Sequence, residues 1–126
     1  MRVLLDESIP VDFAQDLAGL DAQTVIGLGW AGLKNGALLR RMAGEFQVLV
    51  TMDKNLQFQQ NLAAHSIGVV LVRAHSNRLD DLKPLVPQIL DAVAAVVAVP
   101  EPQAFLLLAS LAGQAFAGLS VLRRPA

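Results

Sequence analysis

Residues 48–53, Val48-Leu49-Val50-Thr51-Met52-Asp53, begin as a short β-branched and leucine-rich run and end on an acid. An apolar run of this length, bounded by polar residues, is typical of a strand that is buried on both faces of a parallel sheet. Three more runs of the same kind occur along the chain, at residues 3–5, 24–26 and 69–72. The sequence therefore predicts four buried strands, of which residues 48–51 form the third.

Longer stretches with helical spacing of apolar residues lie between these strands. Residues 11–20 and 37–44 carry apolar side chains at intervals of three or four positions, which predicts amphipathic helices. Gly19 and Gly44 stand near the ends of these stretches, where a left-handed cap suits glycine. Because strands and helices alternate, we predict an α/β fold with a mostly parallel four-stranded sheet, strand order 2-1-3-4, and helices on both faces.

Length and composition limit the classes of protein that fit. The chain has 126 residues, of which 54% are hydrophobic and 17% charged, so one domain with a substantial core is expected. A formal charge of −1 excludes a strongly basic domain, and any contact with nucleic acid must be local or metal-mediated. The chain has no cysteine, which excludes a disulfide, a thiolate zinc site and a cysteine nucleophile. With acidic residues soon after the amino terminus, this composition favours a cytoplasmic protein over an exported one.

The carboxyl-terminal segment differs from the rest of the chain. A further helix is predicted to begin at Asp80 or Asp81, and Pro100-Glu101-Pro102 then breaks the chain. We predict a domain over residues 1–99 and an apolar segment over residues 100–126. Within that segment, residues 104–122 form a 19-residue stretch without a charge, which reaches the roughly 18 residues of a membrane span.

The polar residues of this uncharged stretch, Ser110, Gln114 and Ser120, argue against insertion into a membrane. We predict instead an apolar C-terminal helix. It would dock on its own domain or on a second copy of the chain, which would give a homodimer.

Two acidic residues follow strands directly. Asp6 comes after the first strand and Asp53 comes two residues after the third. In an open parallel sheet, ligands bind outside the carboxyl ends of the strands at the point where the strand order reverses, so the two carboxylates are expected to converge. Neighbouring carboxylates repel each other unless a cation compensates, and Mg²⁺ or Mn²⁺ prefers such oxygen ligands. The alternative is that each acid only ends a strand or makes a turn.

Three motifs together resemble a known family, the small PIN-like proteins of bacteria, which are related to the PIN-domain ribonuclease toxins of toxin–antitoxin systems. The resemblance covers residues 1–95. Its motifs are Leu4-Leu5-Asp6-Glu7-Ser8-Ile9-Pro10, Gly27-Leu28-Gly29-Trp30-Ala31-Gly32 and Leu49-Val50-Thr51-Met52-Asp53-Lys54-Asn55.

The resemblance implies a three-layer α/β/α sandwich whose acidic cluster binds Mg²⁺ or Mn²⁺ and cuts single-stranded RNA with a metal-activated water. Asp6 and Asp53 would then be the catalytic residues and metal ligands, with Glu7 as a third ligand. It also implies a cognate antitoxin-like protein as a partner.

The chain departs from the family pattern at two positions. Asn35 stands where PIN nucleases carry a further aspartate, and Ala37 stands where another carboxylate would be accepted. Asparagine offers a metal its carbonyl oxygen but no negative charge, so the site is partly degenerate. Asn35 is equally well interpreted as the N-cap of the helix that follows.

Cations and amides near the acids are candidates for holding RNA. Lys54 and Asn55 follow Asp53, and Arg40 and Arg41 lie on the preceding helix, where their guanidinium groups would contact phosphates. The alternative for both arginines is a solvent-facing helix surface. Trp30, the only tryptophan, is interpreted as a core residue because no second aromatic residue accompanies it.

Two other functions fit parts of the pattern. A phosphoacceptor receiver domain also carries an acidic pair after strand 1 and an aspartate after strand 3, here Asp6, Glu7 and Asp53. It needs a serine or threonine after strand 4, however, where this chain has Arg73. The other alternative keeps the PIN-like fold without its chemistry, as a catalytically inactive partner-binding module.

Overall fold

A computed structural model describes residues 2–17, 19–52, 67–97, 106–109 and 119–120, with the backbone alone for Asn35, Val97 and the last two strands. Strands and helices alternate along these ranges. The strands are β1 (Arg2–Leu5), β2 (Asp21–Thr24), β3 (Val48–Thr51), β4 (Gly68–Val72), β5 (Leu106–Ala109) and β6 (Leu119–Ser120). The helices are a first 3₁₀ helix (Val11–Asp16), α1 (Asn35–Met42), α2 (Leu79–Leu82), a second 3₁₀ helix (Lys83–Leu85) and α3 (Val86–Val97).

All these strands form a single sheet in the order β2-β1-β3-β4-β5-β6. The pairs from β2 to β5 are parallel, and β6 is antiparallel to β5. The predicted order 2-1-3-4 of the first four strands is therefore confirmed. Strand β1 lies between β2 and β3, with Leu5 opposite both Thr24 and Val50, so the carboxyl ends of the three strands meet at one edge of the sheet.

Apolar side chains of alternating strand residues form two clusters, one on each face of the sheet. On one face, β1, β3 and β4 pack against the first 3₁₀ helix, α2 and α3, with Phe13, Leu82 and Ile89 fully buried. On the other face, Leu4 and Leu49 pack against α1 through residues such as Leu39 and Met42. This confirms an α/β protein with helices on both faces, an arrangement compatible with three layers.

Helix α3 approaches the sheet most closely at Gly68, the first residue of β4. A Cβ atom added at Gly68 would lie 1.8 Å from Cγ1 of Val96, which belongs to α3. Glycine is thus required here for space and not for backbone conformation. The contact fixes the distance between the end of α3 and the amino end of β4.

The structure corrects two predicted elements and confirms the left-handed conformation of two glycines. The second strand covers residues 21–24 instead of 24–26, because the chain turns from Val25 onward. The helix predicted over residues 11–20 is a 3₁₀ helix that ends at Asp16, since Pro10 starts it and Leu17 leaves helical geometry. The left-handed conformations predicted for Gly19 and Gly44 are confirmed, with φ of 87° and 84°.

The prediction of an apolar helix over residues 104–122 is wrong for the residues that the structure describes there. Residues 106–109 form β5, which pairs in parallel with β4, and residues 119–120 form β6. The physical reason is that an apolar run beside the edge of β4 satisfies the backbone groups of both strands. Within the described ranges, no helix has the length and apolar character needed to cross a bilayer.

Candidate functional site

Asp6 is the first residue after β1. Its backbone N–H donates to the carbonyl oxygen of Val50 at 3.0 Å, which continues the ladder between β1 and β3 by one residue. Its side chain is half-buried at the carboxyl edge of the sheet. The strand pairing therefore fixes the position of this carboxylate.

The next residues fold back around that carboxylate. The backbone N–H of Ser8 donates to Oδ1 of Asp6 at 3.0 Å, and the Ser8 hydroxyl donates to the same oxygen. The backbone N–H of Ile9 also donates to the carbonyl oxygen of Asp6, at 3.0 Å. Aspartate favours such turns because its side chain accepts a hydrogen bond from the backbone two residues later.

Strand β3 supplies the second partner of Asp6. Thr51, the last residue of β3, donates its hydroxyl hydrogen to Oδ2 of Asp6. Thr51 is only 1% exposed, so this hydrogen bond lies out of water. The backbone N–H of Met52 then donates to the Ser8 hydroxyl oxygen at 3.2 Å. Asp6, Ser8, Thr51 and Met52 thus form one hydrogen-bonded group, which we call the edge network.

Glu7 lies on the other side of β1. Its Oε2 accepts a hydrogen bond of 3.2 Å from the backbone N–H of Gly32, in the turn that follows β2. Because β1 lies between β2 and β3, the carboxylates of Glu7 and Asp6 bind partners in opposite directions. The described hydrogen bonds therefore do not bring Glu7 to the edge network.

The loop after β4 also reaches the edge network. The Asn77 side-chain amide donates to the carbonyl oxygen of Ser8 at 3.1 Å. One residue earlier, the Ser76 hydroxyl donates to Asp81 and accepts the backbone N–H of Arg78. These bonds join the start of α2 to the end of β1.

The other predicted site residues have different positions. Asp53, Lys54 and Asn55 lie outside the described residues. Asn35 is the first residue of α1 and Lys34 is its N-cap, so Asn35 is not the N-cap. Among the described residues, no group of three or more acidic or histidine side chains is close enough to hold a metal ion.

Arg40 and Arg41 are exposed in the last turn of α1. Guanidinium groups at this end of a helix also interact favourably with the helix dipole. Their exposure is compatible with both interpretations, a solvent-facing surface and a contact with phosphates. Trp30 is half-buried and packs against the cluster that contains Leu4, in agreement with its interpretation as a core residue. The expectation that no second aromatic residue accompanies it is wrong, because the ring of Phe46 lies against it.

A cleft of about 350 Å³ opens at the carboxyl ends of β3 and β4. The described residues that line it are Met52, Val72, Arg73 and Ala74. Arg73 is exposed, so it brings a positive charge to the edge of the sheet where Met52, a member of the edge network, lies.

Sequence reasoning did not assign a site role to four of these residues, namely Ser8, Thr51, Arg73 and Asn77. Two of them had a recognisable signal. Ser8 stands two positions after an aspartate, which is the spacing of an aspartate turn. Thr51 is the one polar residue in an otherwise apolar strand. Arg73 and Asn77 come to the site through the topology alone.

Comparisons of the chain with family models, with curated proteins and with solved structures find no match. The proposed function therefore rests on the residues and their geometry.

Proposed function

We propose that the chain is a PIN-like ribonuclease that depends on Mg²⁺ or Mn²⁺ and has a partly degenerate acidic site. The observation that carries the proposal is the hydrogen bond from Thr51 to Asp6. It joins the carboxyl ends of β1 and β3 at the place where an acidic cluster would have to form.

The chain direction after Thr51 supports a convergence of Asp6 with Asp53. The backbone N–H of Met52 lies 3.2 Å from the Ser8 hydroxyl, which itself donates to Asp6. Asp53 is the next residue, and consecutive Cα atoms are about 3.8 Å apart. Met52 is thus held beside the Asp6 turn and precedes Asp53 in the sequence, which supports the proposal that the two acids share a cation.

The donors of the edge network fit a hard divalent cation. Carboxylate, hydroxyl and carbonyl oxygens are the ligands that Mg²⁺ prefers, and the described part of the network offers no thiolate or imidazole. Asp6 and Asp53 would hold the ion, with Glu7 and Asn35 as further oxygen donors. When bound, the ion would supply a water of lowered pKa and neutralise charge on the phosphate.

The chain's own groups would position the substrate. Asp6 is held in place by Ser8 and Thr51, so the orientation of its carboxylate is fixed before RNA arrives. Arg73 in the edge cleft, together with Lys54 and Asn55, would contact the phosphates on either side of the cut. Because the net charge is −1, such local cations are what the chain offers to single-stranded RNA.

The resemblance alone supports the biological setting. It favours the toxin component of a bacterial toxin–antitoxin pair, acting in the cytoplasm with a cognate antitoxin-like protein as its partner.

One observation favours a second candidate, an inactive PIN-like module that binds a partner. Both carboxylate oxygens of Asp6 accept hydrogen bonds from neighbouring side chains, Oδ1 from Ser8 and Oδ2 from Thr51. A structural role would also account for this carboxylate, because its hydrogen bonds link the ends of β1 and β3. The two candidates differ in whether Asp6 binds metal.

The receiver alternative is supported by the strand order and opposed by the side chains. A parallel sheet with the order 2-1-3-4-5 is common to several doubly wound proteins. Arg73 follows β4, where a receiver carries serine or threonine, and residues 110–122 contain no lysine. Acetyl phosphate would label Asp53 in a receiver and leave a nuclease unlabelled.

Titration with Mn²⁺ by calorimetry tests the proposal. Asp6→Asn and Asp53→Asn should each weaken Mn²⁺ binding, and both should abolish the Mn²⁺-dependent cutting of a single-stranded RNA reporter. Asp91→Asn is the matched control, because Asp91 is exposed on α3 and should bind Mn²⁺ like the wild type. A protein that binds no Mn²⁺, or one in which Asp6→Asn leaves binding unchanged, contradicts the proposal and favours the inactive module.

A further inference from the structure

A second cleft lies on the face of the sheet that α1 covers. Its volume is about 500 Å³, within the roughly 300–1,000 Å³ that is usual for small-ligand sites. It is formed by the turn after β2 and by one side of α1. The described residues that matter to its chemistry are Trp30, Leu33, Ala37, Arg40 and Arg41.

One ring contact and one backbone hydrogen bond hold Trp30 in place. Its ring meets the Phe46 ring edge to face, with 6.0 Å between centroids and 83° between planes. The backbone N–H of Trp30 donates to the carbonyl oxygen of Val25 at 2.9 Å. A rigid aromatic residue that is half-buried presents a stacking surface at a low cost in conformational entropy.

Arg41 is oriented by the same ring. Its guanidinium carbon lies 5.1 Å from the centroid of the Trp30 ring, which is within the range of a cation–π contact. The contact stabilises one direction of the Arg41 side chain, so its N–H donors are ordered before any ligand binds. Arg40, the adjacent residue on α1, adds a second guanidinium to the cleft.

The cleft is locally positive in a chain of net charge −1. Residues 22–44 contain Lys34, Arg40 and Arg41 but no acidic residue. In the part of the chain that the structure describes, neither Arg40 nor Arg41 forms an ion pair, since the ion pair present there joins Arg2 to Asp21. Two guanidinium groups in a cleft that also contains an indole ring are suited to a ligand that has both a phosphate and an aromatic base.

We propose that this cleft binds one nucleotide of a single-stranded RNA, with its phosphate on Arg40 and Arg41 and its base against Trp30. The choice of RNA rests on the proposed function, whereas the preference for a phosphate and a base rests on the cleft itself. The hydrogen bond from Gly32 to Glu7 attaches the Trp30 turn to the end of β1. The Trp30 turn is therefore held beside the end of β1, the strand that Asp6 follows.

Trp30 gives the experiment a direct signal. It is the only tryptophan, and the chain has no tyrosine, so the intrinsic fluorescence reports on this cleft. A short uridine oligoribonucleotide is added in the presence of EDTA, which removes divalent ions and prevents metal-dependent cutting. We expect saturable quenching of Trp30, with the same affinity in Asp91→Asn as in the wild type.

Variants assign the binding to the two arginines. Arg41→Ala and Arg40→Gln should each weaken binding about tenfold, the loss expected for one charge-assisted hydrogen bond. Arg41→Lys should restore only part of the affinity, because lysine keeps the charge but not the planar group that stacks. Lys83→Gln is the control: it also removes one exposed positive charge, from the second 3₁₀ helix, and should bind like the wild type.

Separate probes distinguish a nucleotide from a simple anion. Uridine monophosphate should quench Trp30 and compete with the oligonucleotide, while inorganic phosphate should compete weakly and leave the fluorescence unchanged. An equal effect of Lys83→Gln and Arg41→Ala would overturn the subsite, since binding would then follow net charge. RNA binding that remains in EDTA and depends on Arg41, in a protein without nuclease activity, would support the subsite and reject the proposed function.

Discussion

Thr51 and Asp6 are 45 residues apart in the chain, and the Thr51 hydroxyl donates to the Asp6 carboxylate where β1 and β3 end. The bond holds Asp6 in one orientation and connects it to the segment that precedes Asp53. Its partner on the other oxygen is Ser8. Any function of this edge therefore depends on the order of a few side chains at the ends of β1 and β3.

The first prediction concerns Thr51→Val, which keeps the shape of the side chain and removes the hydroxyl donor. Because Thr51 is almost fully buried, we expect a loss of about 1–3 kcal/mol in the free energy of unfolding, measured in urea. The affinity for Mn²⁺ should also fall by about tenfold, as for other residues that orient a metal ligand. Thr51→Ser, which keeps the donor, should retain most of the affinity. Unchanged affinity in Thr51→Val would show that Asp6 needs no positioning by β3.

A second prediction compares the two neighbouring acids. Glu7 accepts a hydrogen bond from Gly32 on the β2 side, while Asp6 faces β3. Calorimetry should therefore show that Glu7→Gln weakens Mn²⁺ binding less than Asp6→Asn does. If the two substitutions have equal effects, Glu7 is a ligand of the same rank as Asp6 and changes its partner when metal binds.

A third prediction uses small ions as quenchers of Trp30 fluorescence. Arg40 and Arg41 should attract iodide and repel caesium at low ionic strength, so that iodide quenches more strongly relative to neutral acrylamide. Arg41→Gln should reduce quenching by iodide and increase quenching by caesium. Identical quenching constants for the two ions would mean that the cleft carries no net positive potential.

A fourth prediction concerns the contact between Gly68 and Val96. Gly68→Ala places a methyl group 1.8 Å from Cγ1 of Val96, and overpacking of this kind costs about 1–3 kcal/mol of stability. Val96→Ala removes the obstructing atom, so the double variant Gly68→Ala/Val96→Ala should be more stable than the sum of the two single effects predicts. Strictly additive effects in urea unfolding would show that α3 moves away from β4 without resistance.

A fifth prediction concerns the carboxyl-terminal strands. Removal of residues 100–126 takes away β5 and leaves β4 as an unpaired edge of the sheet, and exposed edges favour aggregation. We expect this truncated chain to be less stable and to aggregate in light-scattering measurements. A chain that ends at residue 120 keeps both strands and is the control. A truncated chain with wild-type stability would mean that β5 contributes little to the folded state.

Sequence patterning predicted the centre of the fold well. The runs that became β1, β3 and β4 are apolar on both faces, and only a covered parallel strand explains this over so few residues. The carboxyl-terminal segment was harder to predict, because Leu106 to Ala109 lies in a long uncharged stretch rich in alanine and leucine. Such residues favour helices, and periodicity does not distinguish a buried strand from a buried helix. Pairing with β4 decides the outcome, and no local signal reports it.

The candidate site was predictable in its location but not in its details. The strand order placed Asp6 beside the end of β3, since Leu5 pairs with Val50. The partners of the carboxylate depend on side-chain orientation, which is why Ser8 and Thr51 were missed. The separation of Glu7 from Asp6 has the same origin, because successive residues point in opposite directions as the chain leaves the strand.

The position of β1 between β2 and β3 affects how the chain is made. Both of its neighbours, β2 and β3, come later in the sequence, so β1 is synthesised before either of the strands with which it pairs. The chain between β1 and β3 has to close into a long loop before this pair forms, and such a closure is slow. During synthesis the apolar residues Val3 to Leu5 therefore lack at least one of their partner strands until Thr51 has emerged.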